Sequence, residues 1–296
     1  MIDLRLYRGH LDVLHTEGLL EVVDYIWNKG WRSPTGGNLR LAEGDSPREG
    51  NSSWDLPQKA VVAVFQRELP DVLRNLEQRY SNGHYVIIAR DGDAKLEHIL
   101  GRRDLPSYIH HMFAVYAPDH PRITSMPFAL RWASQVEGLE NIIATIPRTS
   151  VNKVLVAHQN LHWFRPGHER RTANAYFRDK PWATVYEAPD NQYPMTNDGY
   201  LRALRSHDFF VAASGDGNAD GGIERQAMWE GLALGCIPIC TPRQAQWCDM
   251  PIYIVPDWTS MHEAPSRDFV LSLNLSLDRF RLSYWIERIR EKASEL

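Results

Sequence analysis

The chain has 296 residues, 33 Lys and Arg against 37 Asp and Glu, a formal net charge of −4, an isoelectric point near 6.3 and 43% apolar residues. That length exceeds one small core and fits two domains of about 150 residues each. The near-balanced charge excludes a chain-wide basic field of the kind that draws nucleic acid or an anionic membrane surface.

The start M-I-D-L-R-L-Y has neither the basic nor the apolar region of a secretion signal. No window approaches the ~20 apolar residues of a membrane span, so the expectation is a cytoplasmic protein without a membrane partner. The Gly, Pro and Ser-rich stretch from Ser33 to Pro57 has no periodicity and reads as a long loop. Ala60 to Phe65 is a β-branched run, Asp71 to Tyr80 carries apolar residues at helical spacing, and His84 to Ala89 is a second apolar strand. Strand, helix, strand in that order is a parallel-sheet unit. Ile109 to Tyr116 and Ile123 to Met126 add two short strands.

A second α/β series begins at Lys153. It takes the strand Val154 to Ala157, a basic stretch through Arg171, a helix at Thr172 to Phe177, a strand at Ala183 to Tyr186 and a helix at Asp198 to Arg205. The strand Phe209 to Ala213, the helix Glu224 to Leu234 and the strands Cys236 to Cys240 and Ile252 to Val255 follow. Two domains are therefore expected, residues 1–150 and 151–296, with the boundary in the weakly patterned ground from Glu137 to Ser150. Leu277 to Ala293 closes the chain as an amphipathic helix with Phe280, Leu282, Trp285, Ile286 and Ile289 on one face. Cys236, Cys240 and Cys248 are an odd number with no C-x-x-C pair, which suits buried thiols better than a disulfide framework or a zinc site.

The stretch from His207 to Cys240 carries the chemistry. Gly215, Gly217, Gly221 and Gly222 form a glycine-rich turn between a strand and a helix, where backbone N–H groups can approach a diphosphate unhindered by a Cβ. Arg225 opens the following helix with a fork of donors for phosphate oxygens, and the Glu230 carboxylate can accept both hydroxyls of a ribose. A solvated surface turn with ordinary helix charges fits the same spacing. Asp216, Asn218, Asp220 and Gly221 match the first half of a calcium loop, but the twelfth position is Ala227, where a carboxylate is needed.

With those residues in view, F209-F-V-A-A-S-G-D-G, Arg225 and W229-E-G-L-A-L-G-C-I-P-I resemble the exostosin-like glycosyltransferases. That family carries a G-x-G turn, an Arg, a Trp-Glu-Ala helix and a Gly-Cys-Ile-Pro strand. H120-P-R-I-T-S-M-P-F-A-L, K153-V-L-V-A-H-Q-N with Glu169-Arg170, and P251-I-Y-I-V-P-D-W are similar to further family segments in the same order, over roughly Val61 to Trp258. Two departures stand out: three residues separate Arg225 from the Trp-Glu pair where the family usually has one, and Gly231 replaces the usual alanine. The resemblance implies an α/β fold of the GT-B type: two Rossmann-like domains facing a cleft, with the C-terminal helix returning to the first domain. It implies a nucleotide-sugar co-substrate, a UDP-sugar above others, held by Asn160, Arg165, Arg170, Ser214, Gly215, Gly217, Arg225 and Glu230.

No cofactor is required on this reading, and a divalent cation is an open point. Arg165, Arg170, Arg171 and Arg225 are the candidates to stabilise the departing diphosphate, and inversion needs a base for the acceptor hydroxyl. Asp91 and Asp93, after the strand Tyr85 to Ala89, are the candidate catalytic bases, with His10, His15 and Glu17 as rivals. The same aspartates would instead hold a metal in a single-domain type of glycosyltransferase, and a noncatalytic nucleotide-sugar-binding protein is a further alternative. The expected acceptor is a glycan or metabolite. DNA is the minority expectation, resting on the aromatic-interleaved basic stretch Arg165 to Arg178.

Overall fold

The computed structural model describes residues 6–7, 10–27, 56–90, 96–100, 104–115, 117, 120–127, 129–130, 133–149, 151–157, 169–188, 193–213, 226–242, 250–272 and 276–296. The chain forms two compact units that are interleaved in sequence. One joins His15–Arg131 to Leu282–Leu296, and the other joins Met1–Leu14 to Trp132–Arg281. Each contains a five-stranded parallel sheet. The loop expected from Ser33 to Pro57 falls almost wholly outside the described residues.

The unit of residues 15–131 follows a short helix α1 (Thr16–Leu19) with strands β3 (Tyr25–Trp27), β4 (Lys59–Phe65), β5 (His84–Arg90), β6 (Ile109–Val115) and β7 (Ile123–Met126). The two-residue strands β1 (Leu6–Tyr7) and β2 (His10–Leu11) precede them and belong to the other unit. Strand order in the sheet is the chain order, β3-β4-β5-β6-β7. Right-handed crossovers between parallel strands laid down in one direction put every connecting helix on the same face. The core there agrees: α2 (Leu69–Arg79) and α3 (Leu96–Leu100) bury Leu69, Val72, Leu73, Leu76 and Leu96 against Val62, Val64, Ile87, Ala89, Met112 and Ala114.

The opposite face, with Val61, Ala63, Val86, Ile88 and Phe113, is equally buried and receives no crossover helix among the described residues of these connections. The C-terminal helix, α9 (Leu282–Ser294), packs against β5 and buries Leu282, Trp285, Ile286 and Ile289. A bulge at His110, where Tyr85 pairs Ile109 but Val86 pairs His111, lets His110 meet Glu295 (3.0 Å) while His111 bonds Thr124 (2.8 Å). Burial, with the Lys292 cation next in effect, holds the His111 imidazole down at about 4.

The other unit holds α4 (Ala133–Thr145), β8 (Val151–Val156), α5 (Glu169–Phe177), β9 (Ala183–Val185), α6 (Asn197–Ser206), β10 (His207–Val211), α7 (Gln226–Leu234), β11 (Ile237–Cys240), β12 (Tyr253–Ile254) and α8 (Arg267–Ser272). The ground between Glu137 and Ser150, read as unpatterned, is mostly α4, with Val136, Leu139 and Ile142 buried one turn apart. The sheet order is β9-β8-β10-β11-β12. The chain leaves β8 in one direction and returns to pass it in the other, so α5 lies on one face and α6 and α7 on the opposite one. Val154, Val156, Phe209, Val211, Ile237 and Ile239 accordingly share a core with Ala173 and Phe177 of α5. Cys236 and Cys240 are both fully buried, as expected of structural thiols, and burial pushes the Cys236 thiol well up.

Candidate functional site

In an open parallel sheet a ligand crevice forms where two adjacent strands send their following segments to opposite faces. Among the described strands that reversal occurs once, between β8 and β10. The first sheet, laid down in chain order, has no such point among its described strands. Asp91 and Asp93 directly follow β5 in the sequence, and both lie outside the described residues.

In sequence, the expected donor residues fall in the segments that follow β8 and β10. Asn160 and Arg165 follow β8, and Ser214, Gly215, Gly217 and Arg225 follow β10; all six lie outside the described residues, as do Gly221 and Gly222. Arg170 and Glu230 are described. Arg170 stands in the first turn of α5, 7% exposed, whereas its neighbour Arg171 is fully on the surface. Glu230 sits on α7, whose Met228, Trp229 and Gly231 to Leu234 are buried, leaving Gln226, Ala227 and Glu230 as its partly exposed strip. α7 runs into β11, so its N-terminal turn lies toward the carboxyl edge of the parallel sheet, and its side chains lean toward that end.

The local sequence fixes the C-terminal end of α7. Gly235, at φ 81°, ends the helix with Cys236 N–H donating to Gly231 O (2.8 Å) and Gly235 N–H to Leu232 O (3.1 Å). The Leu234 and Gly235 carbonyls then accept from Arg205 (3.2 Å) and Arg267 (2.6 Å), cations placed at the negative end of the helix dipole. Arg148 and Arg267 share the buried Asp208 carboxylate at 2.5 and 3.5 Å. Gly231 lies against Phe210 of β10: a Cβ there would stand 2.8 Å from Cζ and 3.0 Å from Cδ1, with Cε1 nearer still. That contact is the physical reason for glycine where the family pattern has alanine.

One pairing was not read from the sequence. Thr241, the residue after β11, donates its hydroxyl to Glu169 Oε1 at 2.8 Å, joining positions 72 apart in the chain. Glu169 entered the sequence reading only beside Arg170 in the family resemblance, with no role of its own. Of the rival bases, His10 pairs with Glu140 (3.3 Å), His15 bridges Leu130, and Glu17 lies in α1. Among the described residues no three His, Cys, Asp or Glu side chains are grouped as a metal site, and no helix is long and apolar enough to cross a membrane. Comparison with known proteins finds no family model that matches this chain and no curated protein that matches it.

Proposed function

We propose that the chain is a glycosyltransferase that takes a sugar from a nucleoside-diphosphate donor bound at the carboxyl edge of the β8 to β12 sheet. The observation that carries this reading is the single reversal of strand order: it falls between the two strands whose following segments hold every sequence-derived donor residue. Glu230 takes the ribose diol from α7, and Arg170, with Arg165 and Arg225, balances the diphosphate. The GT-B type, metal independence and inversion, with Asp91 or Asp93 accepting the proton of a glycan or metabolite hydroxyl, belong to the same proposal. In chemical terms the arginines stabilise the leaving diphosphate while the base activates the attacking oxygen.

Thermal unfolding with UDP, ADP, GDP and their sugar conjugates, with and without Mg²⁺, tests the donor site. A ligand at a hundred times its Kd adds about 2.7 kcal/mol to the bound fold. Glu230→Ala removes hydrogen bonds to a charged acceptor, worth about 1.5 to 3 kcal/mol, and so weakens the selected nucleotide roughly ten- to a hundredfold. A chain that no nucleotide stabilises, or a Glu230→Ala variant that binds as well as the wild type, defeats the proposal.

A further inference from the structure

We infer that Glu169 and Thr241 form the subsite for the glycosyl group of the donor, accepting hydrogen bonds from sugar hydroxyls at the crevice. The inference rests on the donor reading above.

The placement follows from topology and one bond. Glu169 opens α5 on the β8 side, Thr241 ends β11, and β10 lies between β8 and β11 in the sheet. The 2.8 Å bond holds the Glu169 carboxylate beside Thr241 at the carboxyl end of β11, the strand next to β10, with Oε1 oriented by the Thr241 hydroxyl. β10 is followed by Ala212 and Ala213, which offer no polar side chain and little bulk.

The chemistry of the pair selects its ligand. An ionised carboxylate only accepts hydrogen bonds and repels phosphate, so it cannot serve the diphosphate. Vicinal sugar hydroxyls are donors that such a carboxylate can accept from, and the Thr241 oxygen has lone-pair capacity for another hydroxyl. Arg170 is the next residue along α5. Phosphate and sugar are thus divided between neighbouring side chains of opposite charge, which orders the two ends of the donor along the crevice.

The test compares a nucleoside diphosphate with its sugar conjugate on the full chain by calorimetry, using UDP against UDP-glucose, UDP-galactose and UDP-N-acetylglucosamine, and the ADP and GDP counterparts. Glu169→Gln keeps an oxygen for the Thr241 bond while removing the charge. The expected result is at least a tenfold loss of affinity for the sugar conjugate, with the diphosphate alone bound as well as, or more tightly than, by the wild type. Thr241→Val moves the same ratio in the same direction and carries the test if Glu169→Gln does not fold; Thr241→Ser restores the wild-type ratio. Equal losses for both ligands mean a structural tie between α5 and β11 and overturn the inference, as does an unchanged ratio. A wild type that binds none of these nucleotides overturns the donor reading instead.

Discussion

Gly231→Ala should destabilise the unit of residues 132–281, although alanine is the better helix former by about 1 kcal/mol. The new methyl would stand 2.8 Å from Phe210 Cζ and 3.0 Å from Cδ1, against an optimum near 3.5 to 4.0 Å for carbon pairs. Relief requires a movement of about 1 Å by a ring that is 2% exposed, on a strand paired on both sides, through Leu155 and Pro238. Overpacking of that kind costs about 3 kcal/mol, so the net loss is about 2 kcal/mol after the helix gain. Gly138→Ala is the internal control: it lies in α4 with no heavy atom within 4 Å of the new Cβ, and should stabilise by about 0.5 to 1 kcal/mol. Urea unfolding of both variants measures the two signs. In a Phe210→Ala background the ring is gone, so Gly231→Ala should become neutral or stabilising, a coupling near 3 kcal/mol in a double-mutant cycle. If Gly231→Ala is as stable as the wild type, or its cost persists without the ring, the account of α7 against β10 fails.

The ribose role proposed for Glu230 and the sugar role proposed for Glu169 predict separable losses, since loss of the first lowers affinity for nucleoside diphosphate and sugar conjugate alike and loss of the second only for the conjugate. His111 makes the unit of residues 15–131 acid-sensitive. Its folded value of about 4 lies below the ordinary 6.5, so neutral His111 costs nothing above pH 6.5 and the fold loses up to about 3 kcal/mol as pH falls through that window toward 4. Unfolding free energies of wild type and His111→Gln between pH 7 and 4 should diverge in slope, and parallel curves would reject the assignment. Removal of residues 282–296 uncovers the face bearing Val86, Ile88 and Phe113 and forfeits the burial of Leu282, Trp285, Ile286 and Ile289, about 8 kcal/mol together. That equals the stability of a typical domain, so the truncated chain should fail to give soluble folded protein; a cooperative, soluble product would show that α9 is dispensable.

Much of the secondary structure was legible because strands of a parallel sheet are buried on both faces and so read as unbroken apolar runs. β4, β5, β10 and β11 stand where the runs Ala60 to Phe65, His84 to Ala89, Phe209 to Ala213 and Cys236 to Cys240 put them. α4 escaped notice because only Val136, Leu139 and Ile142 are buried, Gly138 interrupts the pattern, and both neighbours of the helix axis are polar. The amphipathic character of α9 was plain in Trp285, Ile286 and Ile289, yet periodicity says only that a face must be covered, not which sheet it covers.

The sequence by itself determined most of the long apolar strands, the amphipathic helices and the α/β class, since these depend on local pattern and side-chain chemistry. Tertiary structure alone decided the order of the strands. That order leaves one sheet needing α9 on its second face and opens the other between β8 and β10, because right-handed crossovers convert strand sequence into helix placement. It also decided that glycine, not alanine, fits at position 231 and that Glu169 meets Thr241. Both are contacts between residues distant in the chain, and no local pattern encodes them.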